Sequence, residues 1–278
     1  MTDLAGRRPL FVIRPGGGWR LPDLRELWAY RELLLIFAWR DLKVRYRQTV
    51  LGVIWVIGQP LLGMLIFTFV FHRVAKIETA PLPYSVFVLA GLLIWNFFSN
   101  TVQHAGNSLI GSSFLISKVY FPRLAVPLST VAVQLVDLAV SGLLLAALML
   151  WYRVAPGLSI LLLPLAILLA LVFALGIGLW IAALNVQYRD VRVVIPFVLQ
   201  LAMYATPVVY PLERLPEKYR AIAVLNPLTG MVEAFRASLF GTPVAIQPIA
   251  VSAVVALLVL VSGIFYFRRM ERLFADVL

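Results

Sequence analysis

The sequence predicts an all-α integral membrane protein: six transmembrane helices, an N-terminal amphipathic interface helix, and a short re-entrant helical hairpin between the fifth and sixth spans. Three observations carry that prediction. Hydrophobic residues make up 62% of the 278 and charged residues 13%, with a mean hydropathy of +0.94, too apolar to cover the surface of a water-soluble globule. The apolar residues fall in long charge-free windows and do not alternate over about ten residues, which excludes a β-barrel. Lys and Arg gather in the segments that join every second pair of windows.

Residues 1–22, with Pro9, Pro15, Gly16, Gly17, Gly18 and Pro22, read as a flexible cytoplasmic tail. A cleaved signal peptide is not expected. The most apolar early stretch, Leu33 to Trp39, comes late and runs straight into Arg40 and Asp41 without a small-residue cleavage site. Leu24, Leu27, Trp28, Leu35, Ala38, Trp39 and Leu42 recur at helical spacing, opposite Arg25, Glu26, Glu32, Arg40 and Lys43. This predicts a helix lying in the cytoplasmic interface, with Trp28 and Trp39 at headgroup depth and basic side chains towards anionic membrane lipids. The stripe is imperfect, since Arg31 falls on the apolar face and Leu33 and Ile36 on the other. Asp41 is spaced to pair with Arg45 one turn on. The helix is expected to turn upward at about Gln48, where the basic run RDLKVRYR gives way to uncharged sequence.

Six windows follow, at about 49–71, 84–102, 124–151, 159–185, 193–210 and 249–267. Each is near the roughly 20 residues that cross about 30 Å of hydrocarbon as a helix. Pro196 and Pro207 interrupt the fifth, although proline is tolerated in a span where neighbouring groups satisfy the freed carbonyl. Gly176 and Gly178 in the fourth read as positions of close helix packing. Seventeen of the 24 Lys and Arg fall on one side of this topology, which places both termini in the cytoplasm.

The composition also excludes functions. Topology and anionic headgroups account for the net charge of +11, and with no recognisable nucleic-acid module no nucleic-acid partner is expected. Zero cysteines exclude disulfides and cysteine-metal sites. His72 and His104 lie near opposite ends of different spans, which favours an interfacial role over metal binding. Asp137 is the one acid inside a span. It reads either as a proton or ion relay or as a hydrogen-bonded carboxyl packed on a neighbouring helix. The second is favoured because no other span offers an ionisable partner, and coupling to an ion gradient is disfavoured with the relay. No catalytic cluster of acids, histidines or a nucleophile with its base appears. No G-x-x-x-x-G-K-[ST] phosphate loop occurs, and Gly16 to Gly18 lack its lysine and its strand-to-helix context. The energy source must then lie in another chain.

Two connecting segments carry more. Between spans two and three, Gly106 to Pro127, a short helix through Phe114, Leu115 and Ile116, flanked by Lys118 and Arg123 and halted at Pro122, is expected to present an apolar knob to a partner. The alternative is a short helix folded back on the membrane surface. In the long segment Tyr210 to Pro243, Pro216 and Pro227 suit the first turns of two helices, Asn226 an N-cap and Gly241 a terminator. Leu228, Met231, Val232, Phe235 and Leu239 share one face of the second helix. Both helices are too short to span, which predicts a re-entrant hairpin that lines or gates an opening, with Met231 and Phe235 at the exit gate. An inert external cap is the alternative.

RDLKVRYRQTVLGVIWVIGQPLL at the first span, GLLIWNFFSN in the second, SKVYFPRLAVP in the loop, NVQYRDV after the fourth, and PVVYPLERLP followed by LNPLT carry a resemblance in their order and spacing. From about Trp28 to the C-terminus the chain resembles the membrane subunits of ABC-2 type polysaccharide exporters, which serve O-antigen, teichoic acid and capsule export. The resemblance implies that residues 23–278 form an ABC-2 type transmembrane domain in the bacterial inner membrane. It implies a homodimer working with two copies of a separate ABC ATPase subunit. ATP and Mg are then bound by that partner and no cofactor by this chain. The interface helix and Phe114, Leu115, Ile116, Lys118 and Arg123 would dock on the ATPase, and a channel through the paired permeases would carry a polyprenyl-linked polysaccharide outward. Sugar C–H faces pack on aromatic rings, so Trp55 and Gln59 on one face of the first span, with Tyr204 and Tyr210 in the fifth, are the expected channel residues. Anchoring at the lipid interface is the alternative for these aromatics. A drug or lipid exporter of the same architecture is the second reading of the whole chain, and an integral membrane enzyme the third.

Overall fold

In the computed structural model the described residues are 24–47, 50–79, 81–188, 190–243, 246–271 and 274; the expected tail over 1–22 and the expected turn at Gln48 lie outside them. The described residues are helical, with no strand among them. Two helices precede the apolar windows, α1 (Leu24–Ala29) and α2 (Arg31–Arg47). The first window gives α3 (Val50–Phe67), which runs on through a π-helical turn at Thr68–Val74. The second gives α4 (Tyr84–Gly111), followed by the short α5 (Ser113–Lys118). Next come α6 (Ala125–Trp151) and, after a 3₁₀ turn at Leu158–Leu162, α7 (Leu163–Gln187). The remainder is α8 (Val191–Ala205), α9 (Glu217–Leu225), α10 (Pro227–Phe240) and α11 (Ile246–Met270).

Five stretches among the described residues are long and apolar enough to cross a membrane: Ile54–Val74, Tyr84–Gly111, Ala125–Trp151, Leu158–Gln187 and Ile246–Met270. The window predicted as the fifth span forms α8, whose 15 residues cover only about 22 Å. Helix stops at Ala205, two residues before Pro207, because proline disfavours helical geometry in the residue ahead of it. The second window yields a longer helix than expected. The chain stays helical past Val102 because the polar residues there bond back along the helix, Asn107 to the Gln103 carbonyl at 2.8 Å and Ser108 to that of Ala105 at 2.6 Å.

Burial arranges these helices around α4, which packs on α7, α6 and α3; α11 lies on the far side of α7, and α10 closes over α11, α7 and α4. The fragment GLLIWNFFSN sits at the centre, with Ile94 and Phe98 fully buried and the Phe98 ring 5.5 Å from that of Phe173. A second apolar cluster forms at the end of the bundle that carries α2 and α5, here called the base. Phe37, Leu109, Ile116, Phe121, Phe267 and Phe274 meet there.

The two glycines of α7 set its distance from both neighbours. A β-carbon at Gly176 would stand 2.7 Å from the backbone nitrogen of Leu260 in α11, and one at Gly178 would stand 2.8 Å from the β-carbon of Ala105 in α4. Small residues let backbones approach where helices associate by packing alone.

The segment ahead of the first window has two apolar sides, which explains its irregular stripe. Leu33, Leu34, Phe37, Ala38 and Leu42 turn towards the protein, while Leu35, Ile36 and Trp39 stay exposed. Arg31 sits on the apolar side by donating to the Trp28 carbonyl, with its guanidinium 5.6 Å from the Trp28 ring centre. The expected Asp41–Arg45 pair does not form. Asp41 takes Arg40 at 2.8 Å, and Arg45 turns inward to Asp137 in α6, where a half-exposed, solvated Asp41 is the less demanding partner.

Replacing Gly176 by valine forces two backbones apart and is expected to destabilise the protein by about 1–3 kcal/mol or more. Thermal unfolding in detergent should show a lower midpoint than for a control Gly58→Val, since Gly58 has open space where its β-carbon would stand.

Candidate functional site

At the base α5 leaves Phe114 exposed. α5 ends at Lys118, four residues before Pro122, and its six residues divide by exposure. Phe114 is 66% exposed with the Lys118 ammonium 3.9 Å from its ring centre, Leu115 is half-buried, and Ile116 is buried in the base cluster. The expectation that all three face outward is therefore corrected at Ile116, which anchors the helix. Beyond it Val119 and Tyr120 are exposed, and with Lys118 and Arg123 they border a cleft of about 210 Å³. The segment is held from behind. Arg123 donates to the Glu271 carbonyl and lies 5.9 Å from the Phe274 ring centre, and the Phe121 ring meets Phe37 of α2 edge-on at 5.5 Å.

Asp137 has the hydrogen-bonded environment that its sequence context favours, but its partners come from α2. Arg45 reaches both carboxylate oxygens, Nη2 to Oδ2 at 2.6 Å and Nε to Oδ1 at 3.2 Å, and the Tyr46 hydroxyl donates to Oδ1. Burial and the adjoining carboxylate push the Tyr46 phenol well above its ordinary value, so it remains a donor across the physiological range. One turn further along α6, the Ser141 hydroxyl donates at 3.0 Å to the Val56 carbonyl of α3. That carbonyl would otherwise bond the residue four ahead, Pro60, which has no N–H.

The residues expected to line a channel are not gathered in one chain. Trp55 and Gln59 are both exposed on α3. Tyr204 is exposed near the end of α8, and Tyr210, part-buried, donates to the Tyr204 carbonyl at 3.1 Å. α3 and α8 make at most marginal contact, so the two sets stand on separate outer faces.

The α9–α10 hairpin has the expected local signals: Asn226 caps α10 by accepting from the Leu228 N–H at 3.0 Å, Pro227 takes its first position, and Gly241 ends it in the left-handed region at φ 65°. Its apolar face points inward. Met231, Val232, Phe235 and Leu239 are buried in the main core, so Met231 and Phe235, expected at an exit gate, pack the hairpin onto the bundle in this arrangement.

Arg236 is buried in that hairpin and mends the break after α8. It donates to the carbonyls of Pro207 at 2.8 Å, Val208 and Phe87, pairs with Glu233 at 3.4 Å, and lies 3.6 Å from the Phe87 ring centre. The Tyr84 hydroxyl takes the next carbonyl, that of Val209. Gly91 in α4 leaves room for this, since a β-carbon there would stand 2.5 Å from both the Arg236 guanidinium and the Val208 oxygen. Arg236→Met removes the donors and strands Glu233, a loss of about 3–5 kcal/mol. Faster hydrogen exchange confined to residues 206–211 and α9–α10 is the expected reading.

Comparison with known proteins shows the family. Residues 32–240 match the family described as "ABC-2 type transporter". The O-antigen export system permease protein RfbA of Myxococcus xanthus is 34% identical over 89% of this chain and 96% of its own length. A protein of the same description from Klebsiella pneumoniae is 28% identical over 89% of this chain and 95% of its own. The polysialic acid transport protein KpsM of Escherichia coli is 24% identical over 71% of this chain and 77% of its own. Matched from α2 to the end of α10, and over nearly the full length of its relatives, this multi-pass membrane protein belongs to the ABC-2 type transporter family.

Proposed function

We propose that the chain is the permease subunit of an ATP-driven exporter that moves a polysaccharide of the O-antigen kind, polyprenyl-linked, from the cytoplasm across the inner membrane. The observation that carries this reading is the near end-to-end match to O-antigen export permeases, with a polysialic acid transport protein among the more distant relatives. A drug or lipid exporter of the same architecture has no such relative in its support. The chain moves glycan and hydrolyses nothing; ATP and Mg belong to a separate ABC ATPase, present in two copies.

In this reading the permease works as a homodimer. Trp55, Gln59 and Tyr204 face outward on helices that hardly touch, with Tyr210 part-buried beside Tyr204, and a second copy offers a way to bring α3 of one protomer opposite α8 of the other around a conduit. α8 with the buried segment after it serves as the sixth crossing, since non-helical backbone is tolerated at membrane depth where protein satisfies it. α9 and α10 form a re-entrant hairpin at the exit side, where Met231 and Phe235 would open a gate only by moving with the whole hairpin. α1 and α2 lie at the cytoplasmic interface, with Trp28 and Trp39 towards headgroups, and both termini are cytoplasmic.

The ATPase docks on the base. An exposed aromatic beside a lysine, on a short helix held rigidly from behind, supplies an anchor at low entropic cost. Ile116 and Arg123 act from behind that surface, and Leu115 at its edge. Phe114→Asp puts a charge where the anchor inserts, and co-purification of the ATPase should fall by about tenfold or more, with export falling alongside. Full retention of both removes the docking assignment. Deletion of the gene should leave glycan inside the cell, identified by mass spectrometry, and accumulation of a drug or phospholipid in its place would overturn the polysaccharide reading.

A further inference from the structure

The packing of α2 does not follow the chain. Its sequence neighbour is α3, yet α2 packs chiefly against α6 and only lightly against α3. Two joints hold it there. At the base the Phe37 ring meets Phe121, in the segment that leads directly into α6. Two turns further along α2, Arg45 grips both oxygens of Asp137, with Tyr46 beside it. Asp137 lies about 18 Å from the first residue of α6, so the second joint is well inside the bundle.

Such a pair adds little stability over well-packed apolar side chains, because desolvation offsets most of the attraction. A two-pronged guanidinium–carboxylate contact does fix register and angle, which an apolar contact does not. The opposite side of the joint is built differently. Arg45, Gln59, Asn96, Asn100, Gln134 and Ser141 border a polar cavity of about 30 Å³ between α2, α6, α3 and α4, enough for a water, and a separate cleft of about 290 Å³ opens beside the joint between α2, α6 and α4. The amide group of Gln134, 1% exposed, has no hydrogen-bond partner among the described residues. The Arg45–Asp137 contact thus locks α2 to α6 at one point, and beside it the pair meets α3 and α4 around a polar cavity, with the Ser141 hydroxyl bonded to the Val56 carbonyl.

We infer that Arg45, Tyr46 and Asp137 form a clamp that makes α2 and α6 move as one body, so that displacement imposed on the base is carried into the spans through α6. These three are positioning residues for transport. The inference rests on the reading that an ATPase docks on the base. It deepens that reading by naming the joint through which docking acts.

The chain has no cysteine, so Arg45→Cys with Asp137→Cys gives a single addressable pair. Side chains that meet through an arginine stand too far apart for a direct disulfide, and a short, reductant-cleavable bis-methanethiosulfonate reagent bridges them. The complete transporter, permease with ATPase, is reconstituted in vesicles and glycan moved per ATP hydrolysed is measured. Before cross-linking, the double variant should retain its ATPase and lose about tenfold in that ratio; cross-linking should restore it to within about twofold of the starting protein, and reductant should abolish the gain. A cross-linked complex that stays inactive shows that α2 and α6 slide past each other and overturns the clamp, as does an unlinked pair with an undiminished ratio. Should the double variant not assemble, Tyr46→Phe removes one donor, and an undiminished ratio there counts equally against it. Failure of the unmodified permease to retain the ATPase sinks the docking reading instead, which separates the two.

Discussion

Backbone polar groups that face hydrocarbon have to be satisfied from within the protein, and the places where this chain's helices break show how its tertiary structure meets that demand. Pro60 orphans the Val56 carbonyl in α3, and Ser141 of α6 supplies the missing donor. α8 stops short, and three consecutive carbonyls after it are taken by Arg236 and Tyr84, from α10 and α4. Each mending group belongs to a different helix from the break it mends. Leaving one such group unpaired in an apolar setting costs roughly 2–7 kcal/mol, so these bonds fix helix neighbours as firmly as apolar packing does.

The two arginines that bridge elements of the bundle solve different problems. Arg236 faces a row of fixed carbonyls and one carboxylate within its own helix, so its fork of donors stitches a non-helical segment to α4 without joining mobile parts. Arg45 faces a carboxylate on another helix with few other fixed groups nearby, and its contact is therefore a joint between elements. Lysine would serve neither purpose, since a point charge on a flexible stem lacks the planar fork.

What the sequence made legible was local. Charge-free windows marked five spans, Asn226, Pro227 and Gly241 marked both ends of α10, and Gly176 and Gly178 marked close packing on α7, because each depends on residues within a turn or two. The failures are long-range choices. An uncharged window from Val193 to Tyr210 reads the same whether its second part is helical or extended, and the deciding donor, Arg236, lies 29 residues from the Pro207 carbonyl it satisfies. Arg45 had a suitable acid one turn away in Asp41, and it took one 92 residues distant because that carboxylate is buried. A six-residue helix is too short for periodicity to show which side faces out, so Ile116 was grouped with Phe114 although one is buried and the other exposed. Trp55 and Tyr204, expected at a channel, are exposed aromatics, but they stand on helices of one chain that hardly touch.

The stiffness of the base follows from where its apolar residues come from. The stretch between α5 and α6 has no regular structure from Val119 to Pro122, and an unsupported loop of that kind would absorb a push on Phe114 by bending. Phe37, Phe121, Phe267 and Phe274 instead bring α2, the loop, the end of α11 and the segment beyond it into one cluster, and Arg123 ties the loop to the Glu271 carbonyl. A load on the base is then shared among elements that enter the bundle at three places. α6 follows directly on that loop and meets α2 at Asp137 and α3 at Ser141, one turn apart.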